Sequence, residues 1–157
     1  MPDISVRLVI NIFSVLGAAF ALWRGGVAER TAAIIVIANA LVGEASHWTA
    51  PDSEALVRLV NDGLTALALL AVTVRHGAPW MGGVMLFYAA QFSLHSYYLV
   101  MARPSTDYLH ALINNVNFSG IIWCLIIGTA VAWRRRVRTA SARTASAPPP
   151  PGSARAP

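Results

Sequence analysis

Five apolar stretches, each about as long as a bilayer-crossing helix, occupy most of the chain: residues 4–23, 31–50, 54–75, 79–102 and 108–133. A hydrocarbon core about 30 Å thick takes roughly 20 helical residues to cross, so the pattern predicts an all-α polytopic membrane protein, a bundle of five transmembrane helices. Charge supports the same class. Only 12% of the 157 residues are charged, about half the share of an ordinary soluble domain, which leaves too little polar sequence to coat a globule.

The interruptions carry helix-boundary chemistry. Arg24-Gly25-Gly26 ends the first stretch, Pro51-Asp52-Ser53 separates the second from the third, Gly77-Ala78-Pro79 opens the fourth and Pro104-Ser105-Thr106-Asp107 precedes the fifth. Proline fits a first helical position, and Ser, Thr or Asp fit a cap. Trp23, Trp48, Trp80 and Trp133 fall at stretch ends, where an amphipathic ring favours the headgroup region. Trp123 does not.

Arginine placement predicts the orientation. If ends alternate, Arg24, Arg30, Arg75, Arg134, Arg135, Arg136 and Arg138 share one side, while Arg7, Arg58 and Arg103 share the other with Asp3, Asp52, Glu54 and Asp107. Cytoplasmic ends are enriched in Arg and Lys, which gives the N-terminus outside and the C-terminus inside, in a bacterial inner membrane. A cleaved signal peptide ending near Ala19-Phe20-Ala21, or the loss of the third span, would place basic clusters on the wrong side. The four terminal arginines are expected to meet anionic lipid headgroups. No nucleic-acid partner is expected. The single Cys124 permits no intrachain disulfide and no CxxC motif.

Two domains follow: a helical bundle over 1–137 and a disordered cytoplasmic tail over 138–157, RTASARTASAPPPPGSARAP, too poor in apolar residues to build a core.

Polar residues inside the spans are the functional pointers, because lipid exposes them only at a cost. The first span has Arg7, Asn11 and Ser14, the second Glu44 and His47, and the third Arg58, Asn61, Asp62 and Thr65. The fourth has Gln91, His95 and Tyr98, the fifth His110, Asn114 and Asn117. Spacings of three, four and seven put each set on one helix face. Arg7, His47, Arg58, His95 and Asn117 each lie sixteen residues from the inner end of their span, about 24 Å along a helix. Glu44, Asp62, Asn11 and Gln91 are a turn deeper, so all five spans contribute to one polar layer near the outer face. Arg58 and Asp62 form an i, i+4 pair, and His76 and His110 read as interfacial.

The favoured reading of this layer is a hydrogen-bonded ion network that locates the helices in a structural or accessory protein. One alternative is an outward-facing cavity of a channel or transporter-like protein for a cation, proton or small solute. A second is haem or metal ligation by His47 and His95, with Glu44 as a further metal candidate. A holin-like permeabilising role is a third. Cofactors are otherwise not expected, and no catalytic motif of the soluble type is present. Gly17, Gly82, Gly83, Gly120 and Gly128 mark close helix approach within the bundle or in a homo-oligomer or membrane complex.

Over residues 58–133 the chain resembles small, functionally uncharacterised multi-span membrane proteins of alphaproteobacteria. The resemblance rests on Asp62, Pro79-Trp80, His95 and Gly128-Thr129. It implies a multi-span fold and a membrane location, and carries no activity with it.

Overall fold

The computed structural model describes residues 4–49, 53–103 and 107–145, with the side chains of residues 4–7, His47 and Ala145 outside that description. The chain is all-α: helices α1 (Ile4–Arg24), α2 (Val27–Thr49), α3 (Glu54–His76), α4 (Trp80–Val100) and α5 (Tyr108–Ala145) follow one another, with no strand among the described residues. Two of them, over Glu54–His76 and Tyr108–Thr144, are long and apolar enough to cross a membrane.

The boundaries follow from local chemistry. Between α1 and α2 only Gly25 and Gly26 intervene, and the Gly26 N–H donates to Glu29 Oε2 at 2.8 Å. This is one half of a capping box, the third helical residue reaching back to the cap, and it starts α2 four residues earlier than its apolar stretch does. Gly77 ends α3 in the left-handed region at φ 60°, donating its N–H to the Thr73 carbonyl, a conformation that glycine adopts without a Cβ penalty.

Short connections make consecutive helices antiparallel neighbours. Each packs on the next in sequence, and α5 closes the ring against α1 while also touching α2. The ring has two unlike halves. Around the α1–α2 and α3–α4 connections, Ala21, Ala32, Ala33, Val36, Leu69, Val72, Met81, Val84, Tyr88, Ile121, Ile122 and Leu125 form a buried apolar core. Toward the α2–α3 and α4–α5 connections the interior turns polar, with Asn39, Asp62, Thr65, Gln91, His95 and His110 buried. Outward, large apolar side chains are exposed along the helices, among them Val9, Val15, Leu16, Leu64, Leu67, Leu86 and Val116.

Small residues let α5 approach its neighbours. A Cβ on Gly120 would run into the Phe87 ring and one on Gly128 into the Trp80 indole, whereas one on Gly82 would meet nothing within 4 Å. Trp80 is therefore an interhelical packing group, partly buried on Gly128, while Trp23 and Trp48 are exposed at helix ends.

Helix α5 continues eight residues into the stretch expected to be a disordered tail. Residues 138–145 are rich in Ala and Arg and free of proline, and Thr139, Ser141 and Thr144 each donate to a carbonyl one turn back. Good helix formers on an established helix need no tertiary contact to extend it a few residues. The remainder of the expected tail, 146–157, lies outside the described residues.

Replacing Gly128 with Ala is expected to destabilise the bundle by about 1–3 kcal/mol, the usual range for overpacking. The same change at Gly82 should leave stability within about 0.5 kcal/mol, as at other open surface sites. Denaturant titration of both variants in detergent micelles checks the contrast.

Candidate functional site

The polar half of the bundle encloses one open cavity of about 390 Å³. Asn11, Glu44, Arg58, Asp62, Gln91, His95 and Asn114 all line it, so five helices each bring at least one of the residues singled out from the sequence to a single place. Asn39, Glu54, Asn61, His110 and Asn115 line it as well. Asn117, one turn deeper on α5, is buried but does not reach the wall. The side chains of Arg7 and His47 lie outside the described residues, and with them the His47–His95 pairing considered for haem or metal. Among the described residues no three His, Cys, Asp or Glu side chains cluster to hold a metal ion.

Asp62 is the centre of the wall. It is 3% exposed, so its carboxylate needs partners. Asn39 supplies one from α2, donating its amide N–H to Asp62 Oδ1 at 3.0 Å and lying 3.1 Å from the Thr65 hydroxyl. His95 supplies the other from α4: its Nδ1 is 2.7 Å from Asp62 Oδ2, within ion-pair range but off the line of a hydrogen bond. The network continues through α2, where the Asn39 carbonyl accepts from the Asn61 amide at 2.9 Å. The Tyr88 hydroxyl reaches toward Asn39 Oδ1 at 3.5 Å, where the polar half meets the apolar core.

Arg58 does not pair with Asp62 as its spacing allows. Its Nε and Nη2 both reach Glu54 Oε1 at 2.8 Å. The two alternatives differ in depth: Glu54 is one turn nearer the helix start and partly solvated, and a Glu placed four residues before its basic partner is the better orientation on a helix. Asp62 is left to neutral and titratable partners.

His110, expected at the interface, is buried. Its ring centroid is 5.3 Å from that of His95 and 4.6 Å from that of Tyr98. Helix α4 is long enough to lay His95 and Tyr98 over the first turn of α5, which covers the imidazole. Above it, the Tyr98 hydroxyl donates to Asp107 Oδ2 at 2.8 Å, and Asp107 Oδ1 accepts the Leu109 N–H at 3.3 Å, capping α5. The Tyr98 hydrogen bond, helped by the Leu109 N–H, holds the Asp107 carboxyl below its usual range.

Several polar atoms of the wall are buried with no hydrogen-bond partner among the described residues: Asp62 Oδ2, Gln91 Oε1, Asn114 Oδ1 and both His95 nitrogens. Away from the wall, Trp80 Nε1, Asn117 Nδ2 and Thr129 Oγ1 are in the same state, and each such group costs about 1–3 kcal/mol until a partner meets it. The part that joins Asp62 Oδ1, Asn39 and Thr65 is closed. The part facing α4 and α5 is not.

Asn39 and Asn115 line the cavity without belonging to the polar sets that spacing marks out, and Asn39 is the one that meets Asp62. Asn39 is the harder to find. It is a single amide in an apolar run, and the signal that locates it is its spacing of seven to Ser46, which is also buried. Glu44, by contrast, is exposed at the rim.

Asn39→Ala is expected to cost about 1–3 kcal/mol by stranding Asp62 Oδ1 in the interior, a loss readable by denaturant unfolding. Asp107 gives a pH test. A carboxyl whose folded pKa is depressed contributes stability at pH above its unfolded value, lost as pH falls through the folded one. Melting temperatures below about pH 4 should therefore fall more steeply for the wild type than for Asp107→Asn.

The chain matches no protein-family model, no curated protein and no solved structure.

Proposed function

We propose that the protein is a multi-pass inner-membrane bundle, N-terminus out and C-terminus in, whose cavity opens toward the outer face and binds a small polar or positively charged solute. The observation that carries this reading is the open cavity of about 390 Å³ whose wall holds buried polar atoms without partners. Its size falls among ordinary small-ligand sites, about 300–1,000 Å³.

The membrane part rests on the distribution of side chains. Apolar groups such as Val15, Leu16, Leu67 and Leu86 face outward while Asp62, Gln91 and His95 are interior. That arrangement suits a lipid solvent and would make an aggregation-prone surface in water. The two helices apolar enough to cross are consistent with it. Arg24, stacked over the Trp23 and Trp133 rings at 4.1 and 4.9 Å, and the exposed Arg134, Arg135 and Arg138 cluster at the opposite end from the cavity. Arg136 turns back to the Arg24 carbonyl. Basic groups at one end favour a cytoplasmic, anionic surface there.

The apolar half argues for binding over open conduction. Tyr88, Leu69, Met81, Ile121, Ile122, Leu125 and Thr129 are all but fully buried on the basic side of the cavity, a mainly apolar layer that offers a solute no continuous run of polar side chains.

Two measurements test this. A reporter fused after Val137 should read cytoplasmic, and a periplasmic readout would reverse the orientation. Purified protein in nanodiscs, screened by thermal unfolding against small amines, amides, amino acids and sugars, should be stabilised by at least one class. Saturating ligand at a hundredfold its Kd adds about 2.7 kcal/mol. Asn114→Leu should remove the shift, and a flat response across the whole panel would refute a solute site.

A further inference from the structure

The chemistry of the wall narrows the solute. Among the described residues, three carboxylates, Glu44, Glu54 and Asp62, line the cavity against one guanidinium, Arg58. Glu54 takes that guanidinium, and Glu44 at the rim is engaged by a contact of its own. Asp62 is thus the deep carboxylate, and the only cationic partner it has among the described residues is a histidine, His95, which can be charged or neutral. When His95 is protonated the pair is neutral. When it is not, one negative charge stands buried, a state that a single positive charge from solution would relieve.

The hydrogen-bonding inventory is equally specific. Three acceptor oxygens on cavity-lining side chains lack a hydrogen bond: Asp62 Oδ2, Gln91 Oε1 and Asn114 Oδ1. Gln91 and His95 are more than nine-tenths buried. These oxygens offer an anion no donor, and only the two His95 nitrogens, which also lack a hydrogen bond, could supply one. A primary ammonium offers three N–H donors and no acceptor, and it carries the single charge that the pair lacks. A bare metal ion fits less well, because no three ligating side chains cluster among the described residues and the cavity is many times the roughly 30 Å³ of one water.

We propose that the cavity takes a small organic primary ammonium ion. The inference rests on the solute-binding reading above and names its substrate class. Among the described residues, the charged and titratable groups that face His95 are Asp62 from α3, with the Glu54–Arg58 pair above it. His110 faces it from α5, Tyr98 from its own helix and Glu44 from across the cavity on α2; from α1 the wall has Asn11, which does not titrate.

The test is isothermal titration of the full chain in zwitterionic nanodiscs with propylammonium, tetramethylammonium and 1-propanol. Propylammonium is expected to bind. Tetramethylammonium, which has the charge but no N–H donors, should bind about tenfold more weakly or worse. 1-Propanol should not bind. Asp62→Asn should abolish propylammonium binding, and should that variant fail to fold, the ranking of the three probes on the wild type carries the test. Tetramethylammonium binding as tightly as propylammonium would overturn the part assigned to the N–H donors. Equal binding of 1-propanol would overturn the ammonium assignment and leave the solute site standing. Silence of all three probes would overturn this inference by itself, and the solute-binding reading falls with it only if the broader solute panel is silent too.

Discussion

The bundle is organised around a carboxylate that it must keep satisfied. Asp62 sits almost fully out of solvent on α3, and the groups that meet it come from α2 and α4. Burying an unpartnered carboxylate would cost far more than any one helix contact returns, so Asn39 and His95 fix the rotation of their helices about this point. The Asn61 amide on the Asn39 carbonyl and the Thr65 hydroxyl beside the Asn39 amide then hold α2 and α3 together over a full turn. Helix α5 enters the same arrangement through His110, stacked between His95 and Tyr98.

From this centre the two halves of the molecule diverge in character. Below Tyr88, packing alone joins the helices, with Gly120 and Gly128 letting α5 press against aromatic rings of α4. Above it, polar side chains hold the helices apart around a cavity and leave several of their own atoms unsatisfied. A rigid apolar floor under an incompletely satisfied polar chamber is the arrangement expected of a site whose preorganisation is supported from one side. The same contrast separates what stabilises this fold from what we propose it binds.

Much of this was legible in the sequence, and the rest was hidden for a definite reason. Depth along a helix is readable by counting, because rise per residue is fixed; hence Asn11, Asp62, Gln91 and His95 could be set in one layer, whereas on α5 the count selects Asn117, one turn past the wall residue Asn114; the starts of α1, α3 and α5 fall where the apolar stretches begin. Which side chain meets which is not readable that way. Arg58 has carboxylates four residues away on either side, and partial solvation of Glu54 decides between them. His110 stands near a helix start, a place that suggests an interface, yet α4 overlaps that start and buries it. Asn39 stands isolated in an apolar run and becomes essential only through Asp62, a partner 23 residues away. Helix α5 passes its expected limit because Ala, Arg and back-bonded hydroxyls extend a helix without needing a core.

The claim at the centre of this account is that the polar chamber communicates with the outer aqueous phase while the apolar half is sealed. Gly43 lines the chamber, and a side chain there meets nothing within 4 Å. Leu69 is 2% exposed in the apolar core. In a Cys124→Ala background, Gly43→Cys in intact spheroplasts should react with a membrane-impermeant thiol reagent added from outside, and Leu69→Cys should not. Protection of Gly43→Cys from outside, or its reaction only in inside-out vesicles, would contradict the account.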